Sequence, residues 1–294
     1  MEIYNVGKNI VVANLSKIGS NVVCINTEEG LIFVDTGILL DKVKEFRQDM
    51  EKKFKKKTIY LILTHAHQDH FFGMKAFLDV QIIATNACKK TIKERLAKEY
   101  AGDGIKKALD QFLDFKDYFA NMRINEEEIM EVVNQTDIVV EIPQKGFTEE
   151  LTIGSDENKI IIKFSGGHSL DSATVFLPSE KVLITGDEFY HSQVPLFAGI
   201  PASLENWLKA LKSWEKLDIK TIIPGHGSPI DFEYVMNGRK FAEKTIKIVR
   251  ELKEKNITVD EVIKDERLKD YYGKSVWIDP SWWKESLKSL YQVL

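Results

Sequence analysis

The chain has 294 residues, of which 44% are hydrophobic and 29% charged, so it can bury a large core as one big domain or a domain with an appendage, and disorder is excluded as the default. A net charge of −4 leaves no electrostatic footprint for a phosphate backbone, which argues against nucleic acid as a partner and for a small-molecule substrate. Cys24 and Cys88 form no disulfide framework and no C-x-x-C pair, no run reaches transmembrane length, and the alternating N-terminal stretch lacks a signal-peptide core, so a cytoplasmic protein without membrane attachment is expected.

In chain order, the first residues read as short strands at Ile10–Ala13, Asn21–Ile25 and Leu31–Gly37, broken at Gly19-Ser20 and Glu29-Gly30. Leu40, Val43, Phe46, Met50 and Phe54 recur at helical spacing, and a strand over Thr58–Thr64 follows. A short helix from Phe71 to Asp79 and a strand at Val80–Thr85 come next. Residues 86–135 turn helical, with a break at Gly102 and Gly104 and a stripe of Phe112, Phe115, Tyr118, Phe119 and Met122. Such a stripe packs as core in most proteins; a lid over the site and a homodimer contact are its functional readings. Strands are expected at Ile138–Ile142, Glu150–Ile153, Lys159–Phe164, Ala173–Leu177 and Lys181–Thr185, with a hairpin turn at Pro178-Ser179-Glu180. A helix over 203–217, a last strand at Thr221–Ile223 and helices from His226 to the end complete the pattern.

Five of the six histidines belong to one pattern. The strand ending at Thr64 delivers His65-Ala66-His67-Gln68-Asp69-His70, an H-x-H-x-D-H run that chance rarely produces. In extended backbone His65 and His67 project to the same side and can share one metal, and Asp69 and His70 can face a second where the chain turns. Later strand ends carry His168 in Gly166-Gly167-His168-Ser169, Asp187 in Gly186-Asp187-Glu188, and His226 in Pro224-Gly225-His226-Gly227. Imidazole and carboxylate are the donors catalytic zinc takes, and seven ligands suit two metals if one carboxylate bridges. Asp35 is read as a hydrogen-bond acceptor fixing a loop near the site, and His191 as exposed or supporting.

These motifs, in this order and with Val34-Asp35-Thr36-Gly37 before them, closely resemble the metallo-β-lactamase superfamily over roughly residues 8–230. The resemblance implies a four-layer αβ/βα sandwich over 1–230, with a helical insertion at 86–135 and a helical C-terminal extension over 231–294 packed on it. It further implies that His65, His67 and His168 hold one metal and Asp69, His70 and His226 another, with Asp187 bridging, and that Asp69 works in catalysis. Tyr190, three residues after Asp187, is spaced like the substrate-contacting tyrosine of acyl-homoserine lactonases. Phe72, where many members have glycine, suggests a bulkier pocket wall. True zinc β-lactamases commonly have cysteine at the position of Asp187, and flavin-linked diiron members have glutamate at that of His67, so the glyoxalase II and lactonase branch fits better. The function expected is hydrolysis of a small ester, thioester or lactone by a hydroxide held between two divalent cations, zinc first, with iron or manganese as alternatives. A mononuclear iron enzyme of the persulfide dioxygenase type, a β-lactam or phosphodiester hydrolase, and a non-catalytic scaffold are the competing readings.

Overall fold

Strict alternation shapes the first half of the chain. In β2 (Ile10–Asn14), β3 (Asn21–Asn26) and β4 (Leu31–Val34), Ile10, Val12, Val23, Ile25, Ile32 and Val34 enter one core, while Val11, Ala13, Val22, Cys24, Leu31 and Phe33 enter another. A sheet that buries both faces must be covered on both. The computed structural model, which describes residues 1–121, 124–155, 158–191, 203–269 and 280–294, shows how.

One sheet runs in spatial order from β1 (Glu2–Val6) through β2, β3 and β4 to β5 (Thr58–Ile62), β6 (Gln81–Thr85) and β7 (Lys145–Phe147). It is antiparallel up to β4 and parallel beyond. The second sheet contains β8 (Glu150–Ile153), β9 (Ile160–Phe164), β10 (Ala173–Leu177), β11 (Val182–Gly186), β12 (Thr221–Pro224) and β13 (Ile230–Asp231), with β11 and β12 parallel and the other pairs antiparallel. Ile62 and Ile83 from the first sheet meet Ile162, Val175, Ile184 and Ile223 from the second in the central core. Helices cover the outer faces, giving the expected four layers.

Outside the first sheet lie α1 (Leu40–Phe54), the single turn α2 (Gln68–Phe71) continued by a 3₁₀ turn over Phe72–Phe77, and the insertion. The insertion comprises α3 (Asn86–Lys98), α4 (Gly104–Asp110), α5 (Lys116–Asn121) and α6 (Glu126–Val133). Thr85 caps α3 by accepting from the Cys88 amide, and Asn125 and Glu128 form a capping box on α6. Leu109, Phe119, Ile124, Ile129, Val132 and Val133 are buried in the same core as Leu40 and Val43. Within the aromatic stripe, Phe119 is buried and stacks on Phe112 at 6.0 Å, whereas Phe115 stays 55% exposed. Met122 and the side chain of Tyr118 lie outside the described residues.

The second sheet is covered by α7 (Leu204–Trp214), α8 (Phe232–Glu254), α9 (Val259–Val262), α10 (Glu266–Lys269) and α11 (Pro280–Val293). Trp207, Leu211, Val235, Val249, Leu287 and Leu290 close one core with Leu183 and Ile222 of the sheet, so the C-terminal helices share that sheet's hydrophobic core. Among the described residues no helix is long and apolar enough to cross a membrane.

Three expectations need correction. Residues 138–142 are not a strand: Ile138 and Val140 are buried on the helical side, the Glu141 amide donates to Met74 Sδ at 3.0 Å, and Lys145–Phe147 pairs with β6 instead. The apolar alternation there reflects one-sided packing of an extended segment, which mimics a strand's pattern. Thr221–Ile223 is not the last strand, because Ile230–Asp231 folds back on it as β13. Phe72 is no pocket wall; it is fully buried against Phe71 and Tyr100 at ring distances of 5.2 and 5.6 Å.

Candidate metal centre

The ends of β5, β9, β11 and β12 meet at one edge of the sandwich, each followed by a loop that carries part of the predicted pattern. The parallel register of β11 with β12 brings the Asp187 and His226 turns side by side. Gly225 has to be glycine, since a Cβ there would sit 1.9 Å from Asp187 Oδ1.

All seven predicted ligands converge. His67 Nδ1 lies 3.0 Å from both His65 Nε2 and His168 Nε2, and Asp187 Oδ2 faces the latter two at 3.8 and 3.5 Å. On the other side, Asp69 Oδ2 lies 3.4 Å from His70 Nε2 and 3.1 Å from His226 Nε2, and Asp187 Oδ1 lies 3.2 and 3.6 Å from the same two nitrogens. Donor atoms of His65, His67, His168 and Asp187 fall within 4.8 Å of one another, as do those of Asp69, His70 and His226. Asp187 thus turns one oxygen to each group.

The residues suit divalent cations. Among the described residues, neither His70 Nε2 nor Asp187 Oδ1, though buried and 3.2 Å apart, has a hydrogen-bond partner of good geometry, an arrangement that costs stability unless something satisfies both. Burial, with the neighbouring rings of His70 and His168, holds the pKa of His65 well below the usual imidazole range, and burial brings His168 to about 4, so both present lone pairs at neutral pH. Burial also works against a proton on His70 and His226, but Asp187 and Asp69 beside them outweigh it and raise both. A site that draws protons so strongly to buried imidazoles draws cations for the same reason.

A supporting network that the motifs did not reveal fixes these side chains. Asp35, in left-handed backbone at φ 56°, accepts from the Thr64 amide and hydroxyl at 2.7 Å each and lies 2.8 Å from His70 Nδ1, which leaves Nε2 of that ring turned into the site. This matches its expected loop-fixing role. Glu188, to which no motif points, is buried; it accepts from Ser165 Oγ at 2.6 Å and from the Gly167 and His168 amides at 3.1 and 3.0 Å, and burial raises its carboxyl to about 7. Asn21 Nδ2 donates to the carbonyls of Pro224 and Gly227 at 2.9 and 2.7 Å, anchoring the His226 loop to the first sheet. Three donors converging on the buried Glu188 carboxylate, and two distant carbonyls accepting from the Asn21 amide, identify these residues rather than spacing, so a sequence offers no sign of them.

Tyr190 is half-buried beside the cluster: its hydroxyl donates to Asp187 Oδ2 at 3.1 Å and its ring lies 5.6 Å from that of His226. His191 supports rather than joins the cluster, with its amide donating to the His226 carbonyl at 3.1 Å and Nδ1 2.6 Å from Ser228 Oγ.

A four-layer sandwich with this histidine and aspartate edge defines a metal-dependent hydrolase class. The chain belongs to the metallo-beta-lactamase superfamily, whose family model matches residues 16–226. It is similar to the metallo-beta-lactamase type 2 of Bacillus cereus, 25% identical over 221 residues that cover 71% of this chain and 67% of that protein. It is also similar to a linear primary-alkylsulfatase of Pseudomonas sp. (strain ATCC 19151), 20% identical over 302 residues covering 91% of this chain and 54% of the relative. Among solved structures, the stereoselective inverting sec-alkylsulfatase Pisa1 from Pseudomonas sp. matches with a TM-score of 0.73 at 16% identity, covering 99% of this chain and 49% of its own. A metallo-beta-lactamase from Pontibacter korlensis matches with a TM-score of 0.59 at 16% identity over 82% of this chain and 98% of its own. The chain spans about half the length of the alkylsulfatases it matches.

Proposed function

We propose that the protein hydrolyses a small ester, thioester or lactone at a centre of two divalent cations, zinc first among them. The observation that carries this reading is the carboxylate of Asp187, whose two oxygens are divided between two groups of ligand atoms. His65, His67 and His168 would hold one cation and Asp69, His70 and His226 the other. Cations bound there would supply Lewis-acid polarisation of the scissile bond and lower the pKa of water to about 7.

The chain's own groups complete the chemistry. Asp69, 21% exposed beside the half-buried His226, offers a carboxylate that accepts a proton from the attacking water and passes it to the leaving group. Tyr190, bonded to Asp187, presents its hydroxyl and ring edge beside the cluster to orient a substrate. Neither role needs a serine or cysteine nucleophile.

A specific observation favours sulfate esters as a second substrate class. The alkylsulfatase structure covers 99% of this chain against 82% for the Pontibacter korlensis β-lactamase, so only the former match must include the C-terminal helices. Metal analysis of protein purified without added metal, then a panel of thioester, lactone, alkyl sulfate, phosphodiester and β-lactam substrates, tests both. Two metals per chain with turnover of a thioester or lactone is the expected result. Turnover of the alkyl sulfate alone moves the assignment to the second class, and a single tightly held iron overturns the binuclear reading.

A further inference from the structure

Ala66 separates the two histidines of the H-x-H pair, is 1% exposed, and has both its backbone polar groups taken by charged side chains from elsewhere in the fold. Its amide donates to Asp171 Oδ2 at 3.2 Å, and its carbonyl accepts from Arg95 Nη1 at 2.7 Å. Asp171 lies three residues after His168, and its other carboxylate oxygen takes the Ser169 hydroxyl. The Asp171 carbonyl accepts from Thr85 Oγ1 at 2.8 Å, the same oxygen that caps α3 through the Cys88 amide at 2.9 Å. Arg95 is on α3, so the circuit closes: Thr85, Asp171, Ala66, Arg95 and back along the helix. It joins the insertion to both loops that supply the three-histidine group.

The backbone angles at Ala66 fix how far apart the rings on either side stand, and His65 Nε2 and His67 Nδ1 meet at 3.0 Å. We propose that Arg95 and Asp171 are positioning residues that set the cation affinity of the His65, His67 and His168 group, which makes α3 of the insertion a working part of the centre. The inference rests on the metal-centre reading above. A guanidinium this close to a cation site opposes binding by Coulomb repulsion. Asp171 across the same peptide and Glu99, 3.8 Å from Arg95 Nε, offset that charge. A role through geometry and a role through charge therefore predict opposite signs when Arg95 is neutralised.

The test titrates zinc(II) against a competing chelator in the His226→Ala background, where the three-histidine group is the position left intact. Arg95→Met is expected to weaken binding by about 10- to 100-fold, the range seen when outer hydrogen-bond partners of a metal site are removed, with little change in the melting temperature of the metal-free protein. Arg95→Lys, which keeps a donor, recovers most of the loss. Equal or tighter binding by Arg95→Met overturns the proposal, as does a loss of affinity that merely follows a fall in metal-free stability. Should Arg95→Met not fold, Asp171→Asn decides: an amide has one acceptor oxygen for two donors, so undiminished affinity overturns the proposal there. If wild type and His226→Ala both fail to bind zinc, the metal-centre reading falls and takes this one with it; wild-type binding with an unaffected Arg95→Met removes this one alone.

Discussion

The two halves of the centre are built from the same residue types and differ in charge and in cover. The three-histidine half has one carboxylate oxygen among its donors, lies behind buried rings, and is braced by Glu188, Asp171 and Arg95. The other half sets two carboxylates against two histidines and opens to solvent at Asp69 and at His226, which is 29% exposed. Neutral donors held rigidly suit a cation that stays. An anionic, open half suits one that meets substrate, and it places Asp69, the carboxylate proposed to transfer the proton, on the solvent side. Asp187 faces both halves, and substitutions at single residues can separate them.

The largest effect is expected from Asp187→Ala. With one oxygen in each half, its loss should reduce bound metal in both and abolish turnover, whereas His226→Ala should leave one metal in place. Elemental analysis of the two variants side by side decides this, and two metals retained by Asp187→Ala would break the coupling. Asp69→Asn comes next: an amide still offers an oxygen but accepts no proton, so turnover should fall by about 10²- to 10⁴-fold while metal content falls less than in His67→Ala. Wild-type turnover in Asp69→Asn would remove that residue from the chemistry.

Smaller and opposite in location are Glu188→Gln and Asp35→Asn. Glu188 holds the His168 loop and Asp35 the His70 ring, so each should weaken zinc in its own half by about 10-fold or more and leave the other half as it was. Glu188→Gln should also lower stability by about 1–3 kcal/mol, since an amide leaves one of three buried donors unpaired. Chelator titration with chemical denaturation reads both quantities, and a uniform loss across the two halves would show that the braces are not local.

How the sequence foretold this site follows from where its information lies. The seven residues proposed as ligands stand at strand ends, close in sequence or beside a glycine, so their grouping is legible in the sequence; the layers follow from the family resemblance, and the strand patterns by themselves give only short antiparallel strands. Bracing residues are defined by what they touch across the fold. Glu188 reaches back 20 residues to the His168 amide and Asn21 forward 203 to the Pro224 carbonyl, and no spacing rule covers such distances. The false strand at 138–142 and the missed β1, β7 and β13 are short segments, where packing outside the segment decides its state. The insertion's stripe was visible, yet only the structure shows Phe119 in the core and Phe115 out of it.

The smallest expected effect lies outside both halves and serves as their control. Arg47 on α1 pairs with Asp79 through Nη1 at 2.6 Å and Nη2 at 2.8 Å, and its Nε reaches Glu51 at 3.1 Å; Glu51 in turn accepts from the Thr58 amide at 3.1 Å. This network secures the start of β5, the strand whose far end delivers His65, without touching the centre. Hydrogen bonding and charge from Arg47 lower the pKa of Asp79. A carboxyl whose folded pKa is depressed stabilises the protein above its unfolded value of about 3.9, and that contribution is lost as pH falls through the folded pKa. Asp79 is largely exposed, so Asp79→Asn should cost no more than about 1 kcal/mol at pH 7. The difference from wild type should shrink as pH drops below about 4. Urea unfolding of metal-free protein across that range measures it. The cost should be the same in the His226→Ala background, because the network acts on the strand and on neither half of the centre; a cost that depends on the background would mean that the anchoring of β5 is felt at the ligands, and the two halves would then owe their difference to the strand as well as to their own braces.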